Sequence, residues 1–69
     1  MTNIRSERAR MGLTQKNLAD RLEVDERTIS NWETEATPVP STKAIEMSNI
    51  FGCSTDYLFG LSDERKSVA

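Results

Sequence analysis

The 69-residue chain has room for one domain and one small core, because domains below roughly 70–80 residues rarely supply more than ~3–5 kcal/mol of net stability, so a two-domain enzyme with a deep cleft is excluded. Its single cysteine, Cys53, cannot form an intramolecular disulfide, and with no histidine the usual zinc sets and histidine-based catalytic triads are lacking. Nine lysines and arginines against eleven acidic residues give a net charge of −2, which on its face argues against a nucleic-acid ligand. A 36% hydrophobic share with 29% charged residues is that of an ordinary folded protein, neither disordered nor fibrous. The start Met1-Thr2-Asn3-Ile4-Arg5 lacks the apolar run of a signal peptide, and no stretch approaches the roughly 20 apolar residues of a membrane span. A cytoplasmic protein without a membrane partner is the expectation.

From Asn3 to Met11, the residues Ile4, Glu7, Arg8 and Met11 occupy one helical stripe, and Gly12 supplies the stop. Thr14 is placed as an N-cap for a second helix, about Gln15 to Leu22, with Leu13 and Leu18 spaced for a hydrophobic staple. Leu18, Ala19 and Leu22 form its apolar stripe. Asp25 repeats the capping signal, with Glu26 against the positive end of the helix dipole, and starts a third helix whose inner face is Ile29 and Trp32 with Thr28 beside them. Only Glu23 and Val24 lie between the second helix and this cap, so the two short helices must cross steeply, as in a helix-turn-helix.

Two prolines keep Thr34-Glu35-Ala36-Thr37-Pro38-Val39-Pro40 extended. Ser41 or Thr42 then caps a fourth helix with Ala44, Met47, Ser48 and Phe51 at helical spacing, flanked by Ile45 and Ile50 and ended by Gly52. Ser54 caps a short fifth helix, Thr55 to Phe59, that buries Leu58, offers Tyr57 or Phe59 outward and stops at Gly60. The expected fold is all-α: a compact five-helix bundle over residues 1–61 with a central helix-turn-helix, followed by a mobile charged tail or the start of a linker at 62–69.

Three segments then match a known pattern in the right order: Leu13-Thr14-Gln15-Lys16-Asn17-Leu18-Ala19-Asp20-Arg21-Leu22, Val24-Asp25-Glu26-Arg27-Thr28-Ile29-Ser30-Asn31-Trp32-Glu33, and Gly52-Cys53-Ser54-Thr55-Asp56-Tyr57-Leu58-Phe59-Gly60. Together they resemble the lambda-repressor-like helix-turn-helix family, the Cro and phage-repressor type, over about Ile4 to Gly60. Physically, Ala19 sits where the two helices cross, and any larger side chain would push the third helix away. Glu23 departs from the glycine usual at the turn, where a left-handed backbone costs a non-glycine about 1 kcal/mol.

The resemblance implies a sequence-specific, double-stranded-DNA-binding transcriptional regulator, most often a repressor, which binds a pseudo-palindromic operator as a homodimer with its third helices in successive major grooves about 34–36 Å apart. Arg27 suits guanine O6 and N7, Asn31 adenine N6 and N7, and Glu26 cytosine N4, with Thr28 and Ser30 as secondary readers. The plainer alternative is that these are the solvated face of an amphipathic helix. Gln15, with the first-turn amides of the second helix, is placed to hold a phosphate; Lys16, Arg8, Thr34, Thr37 and Lys43 are further backbone contacts. Arg8 is also expected to pair with Glu33 and thereby to fix orientation. Ile45, Ile50, Tyr57, Phe59 and Leu61 are the expected dimer surface. Trp32, Tyr57, Phe51 and Phe59 have the spacing of core or dimer-contact residues rather than a base-stacking platform, and Cys53 that of a buried packing residue. The carboxylate pairs Asp20/Glu23 and Asp25/Glu26 lack a pocket, so no enzyme is expected, and no cofactor, metal or small-molecule ligand is implied.

A rival reading from a different class is a protein-binding helix-turn-helix module, an antirepressor or antitoxin-like adaptor, supported by the acidic stretch from Glu23 to Thr37. Splitting the charge changes what the net −2 implies about nucleic acid. Residues 1–22 carry five basic and two acidic side chains, net +3, whereas residues 23–69 carry four basic and nine acidic, net −5. The overall −2 is a sum of two unlike halves, with the phosphate-seeking charge concentrated in the first.

Overall fold

A computed structural model describes residues 2–64. These form five helices, α1 (Ile4–Arg10), α2 (Gln15–Leu22), α3 (Glu26–Glu33), α4 (Ser41–Phe51) and α5 (Thr55–Leu58), with no strand among them. Residues 65–69, most of the tail expected to be mobile, lie outside the described residues.

Two helix starts follow the expected capping chemistry. Thr14 accepts from the Asn17 backbone N–H at 3.0 Å while Asn17 Oδ1 accepts from the Thr14 N–H at 3.1 Å, a reciprocal capping box. Ser54 Oγ likewise accepts from the Tyr57 N–H at 3.1 Å. Two starts differ. Asp25 holds the N-cap position of α3 but its side chain makes no capping bond, leaving only the charge of the first turn to favour the helix dipole. α4 begins directly after Pro40, whose φ of −60° and ψ of 145° set the N-cap geometry; Ser41 is already helical, so neither Ser41 nor Thr42 is the cap.

All five helices end in one way: a residue of positive φ follows, and the next backbone N–H reaches back five residues in the Schellman pattern. The left-handed residues are Gly12, Glu23, Glu35, Gly52 and Gly60. The closing bonds run from Leu13 to the Arg8 carbonyl, Val24 to Ala19, Ala36 to Asn31, Cys53 to Ser48 and Leu61 to Asp56, at 2.8–3.2 Å. Glu23 has φ 57° and ψ 45° as the tight turn required; Glu35, at φ 63°, is a second such glutamate that the sequence pattern did not single out. The two glutamates bracket α3.

The core is the sum of the apolar stripes. Ile4, Leu18, Leu22, Ile29, Met47 and Leu58 are wholly buried, joined by Ala19, Trp32, Phe51 and Cys53. Burial of Ala19 fits its place at the α2–α3 crossing, where the Val24 N–H bonds its carbonyl at 3.0 Å. One expected stripe position fails: Met11 lies past the last residue of α1, where the backbone leaves helical geometry, and is exposed. Its neighbour on the stripe, Glu7, is buried instead, its carboxylate 3.1 Å from the Arg10 guanidinium. Arg10 Nη2 also donates to the Phe51 carbonyl at 2.9 Å, tying α1 to the end of α4. Lys43 Nζ donates to the Leu22 carbonyl at 2.7 Å and thereby closes the C-terminus of α2.

Candidate nucleic-acid interface

The helical period sorts the third helix. Ile29 and Trp32 face the core, so the opposite face presents Arg27 at its centre with Ser30 and Asn31 on either side. Glu26 and Arg27 are exposed; Thr28, Ser30 and Asn31 are half-buried. Among the described residues no hydrogen bond or ion pair engages the side chains of Glu26, Arg27 or Asn31. Their donors and acceptors remain available to something outside the fold.

The N-terminal edge of α2 is built differently. Glu33, the last residue of α3, keeps only 5% of its side chain exposed, and its two oxygens are shared between two other helices. Oε2 accepts from Arg8 Nε at 2.7 Å, and Oε1 accepts from Arg8 Nη2 at 3.4 Å and from Gln15 Nε2 at 3.1 Å. Arg8 Nη1 donates in addition to the Leu13 carbonyl at 2.9 Å. The Arg8–Glu33 pair follows the sequence expectation. The Gln15–Glu33 bond is new, and it locks α1, α2 and α3 to one another through a single carboxylate.

The remaining residues expected to contact phosphate separate. Lys16 and Thr37 are exposed. Thr34 is exposed but turns its hydroxyl back onto the Ser30 and Asn31 carbonyls at 3.0 and 3.3 Å. Lys43 spends a donor on Leu22 and lies 3.6 Å from Glu46, and Arg8 spends three on Glu33 and Leu13. These two are engaged in holding the fold, which the spacing of charges alone did not reveal. Neither the burial of Glu7 nor the cross-link from Arg10 was expected, although an acid and a base at i, i+3 is the signal that carries the pair.

The expected dimer residues differ in exposure. Ile45 and Leu61 are exposed, whereas Ile50, Tyr57 and Phe59 are partly buried against the core. Ile45 and Ile50 are five residues apart, hence about 140° apart around α4, and no single flat surface takes both.

Two short helices joined by a left-handed turn, the second pinned by its last residue to the start of the first and turning an unspent polar face outward, define a helix-turn-helix domain of the class found in DNA-binding transcription regulators. A family model described as helix-turn-helix matches residues 4–58, and the chain belongs to that family, in its lambda-repressor-like branch. It is 30% identical over 63 residues to the HTH-type transcriptional regulator ImmR of Bacillus subtilis (strain 168). The alignment takes in 91% of this chain and 50% of that protein, so the chain spans about half the length of the curated relative it matches. No solved structure matches the chain. No helix among the described residues is long and apolar enough to cross a membrane.

Proposed function

We propose that the chain is the DNA-reading domain of a sequence-specific transcriptional regulator, most simply a repressor that blocks transcription by occupying its operator. The observation that carries this reading is the contrast on α3: an outward face whose Arg27 and Asn31 have no internal partner, on a helix held to the start of α2 by the Glu33–Gln15 bond. A helix of this width fits the major groove, where Arg27 pairs with guanine, Asn31 with adenine and Glu26 with cytosine, and Thr28 and Ser30 lie at the edges of the same face. Gln15 and Lys16 hold the flanking phosphate at the N-terminus of α2, with Thr37 and Thr34 beyond α3. Arg8 and Lys43 support those contacts chiefly by fixing the helices.

Two copies bind a pseudo-palindromic operator, with Ile45 and Leu61 the most exposed apolar side chains available to a dimer contact. Residues 1–61 constitute the reading domain. The protein works where the DNA is, in the cytoplasm, and the proposed function includes neither catalysis nor a cofactor.

Selection of bound sites from random duplex DNA tests this directly. A recovered site with two inverted half-sites, each holding a guanine and an adenine in the read positions, and binding that weakens steeply with added salt, are the expected results. Recovery of no preferred sequence, with salt-insensitive capture of a protein partner instead, overturns it in favour of a protein-binding module.

A further inference from the structure

An open groove runs between α1 and the end of α3, lined by Thr2, Asn3, Arg5, Ser6, Ala9 and Glu33. Its donors are unequally committed. The Asn3 side chain donates to the Tyr57 carbonyl at 2.6 Å, and the Ser6 hydroxyl donates to the Asn3 carbonyl at 3.0 Å. Glu33 accepts from Arg8 and Gln15, and the Arg8 guanidinium offsets its charge. Ala9, with only a methyl group, leaves the groove open. Arg5 is exposed and has no hydrogen bond or ion pair among the described residues. The groove therefore carries an uncommitted guanidinium beside a carboxylate that is already neutralised, which suits an anion. The side chain that forms its far wall, Glu33, is the one that fixes Gln15 at the start of α2, so the groove continues the edge assigned to DNA phosphate.

We infer that this groove is a second contact for the DNA backbone, in which Arg5 grips a phosphate flanking the one held at Gln15. The inference rests on the DNA-binding reading above. Arginine suits the task because its planar fork can meet two phosphate oxygens at once. The contact carries no sequence information; it strengthens binding to every duplex and helps set the register of α3 in the groove. It also gives the net +3 of the first 22 residues a working surface on α1, where Arg8 and Arg10 already spend their donors on Glu33, Leu13, Glu7 and Phe51.

The test is the salt dependence of duplex binding by the full 69-residue chain, by Arg5→Ala and by Arg21→Ala, an exposed arginine on α2 that does not line the groove. Each is measured on the selected operator and on an unrelated duplex. Arg5→Ala is expected to weaken binding several-fold on both duplexes and to reduce the slope of log K against log salt by about 0.9, the value of one lost phosphate contact. Its thermal midpoint and the operator-to-unrelated affinity ratio should stay at the wild-type values, and Arg21→Ala should match wild type throughout. An unchanged slope and affinity in Arg5→Ala, with wild-type binding intact, overturns the groove assignment and leaves the DNA reading standing. A loss confined to the operator also overturns it, since Arg5 would then read a base. Absence of duplex binding by the wild-type chain removes both.

Discussion

The two polar edges of the helix-turn-helix unit are opposites. At the start of α2, Gln15, Arg8 and Glu33 are satisfied by one another, and little of the pair's side-chain surface meets water, 15% for Arg8 and 5% for Glu33. On the outer face of α3, Glu26, Arg27 and Asn31 are bonded to nothing in the described fold. A buried charge pair contributes little net stability but makes one arrangement of helices far better than its neighbours, because breaking it strands a charge. An exposed, unpartnered set contributes almost nothing to stability and is available for recognition. The difference separates the residues that fix where α3 sits from those that the proposed function makes its readers.

The largest expected effect comes from breaking the first edge. Arg8→Ala leaves the Glu33 carboxylate at a nearly dry site with only Gln15 as donor, and should cost about 3 kcal/mol of stability, the low end for a buried pair. Urea unfolding checks it: a clear fall in midpoint is expected, with much of it recovered by adding Glu33→Gln, because the stranded charge is then gone. Arg27→Ala, on the second edge, should move the midpoint by less than about 0.5 kcal/mol. Equal loss in the two single variants would erase the distinction.

A smaller effect sharpens a parallel contrast among the helix ends. Glu23 occupies a left-handed position that glycine takes after α1, α4 and α5, and its carboxylate sits at the negative end of the α2 dipole. Glu23→Gly should therefore stabilise by about 1 kcal/mol. Gly52→Ala should lose a similar amount: a Cβ there meets no atom within 4 Å, so the backbone conformation alone sets the cost. Thermal unfolding of the two variants should show shifts of opposite sign. A destabilised Glu23→Gly would mean that the glutamate side chain, rather than the turn, holds the α2–α3 junction.

Much of this architecture is local and so was legible in the chain. Thr14, Ser54 and the three glycines set helix bounds through their own hydrogen-bonding and backbone properties, and the stripe Leu18, Ala19, Leu22, Ile29 and Trp32 follows from helical period alone. What escaped depends on tertiary partners. Glu7 is buried because Arg10 bends over it toward Phe51, 41 residues away; Lys43 is drawn inward by a carbonyl on α2; Gln15 meets Glu33 only once α3 is in place. A charged residue reads as solvent-facing until the acceptor across the fold is known. Glu35 was missed because a positive φ is inferred from glycine or asparagine, and neither stands there. For the proposed interface, the outward polar face of α3 was legible from its period, whereas the division of the arginines into structural and available ones was not, and Arg5 emerged only with the groove beside it. The scatter of Ile45 and Ile50 around α4 has the same origin: both flank the buried stripe in sequence, on opposite sides of it in space.

The proposed division of labour is that α3 chooses the site while the α2 edge only holds the backbone. Its most direct test is the binding of Arg27→Ala and Gln15→Ala to the selected operator and to variants of it with each half-site base pair changed in turn. Arg27→Ala should lose about 1–3 kcal/mol on the parent operator and become indifferent to the base at one position, and Gln15→Ala should weaken binding to every variant by a common factor. A uniform loss for Arg27→Ala across all variants, with base preference intact, would contradict the claim.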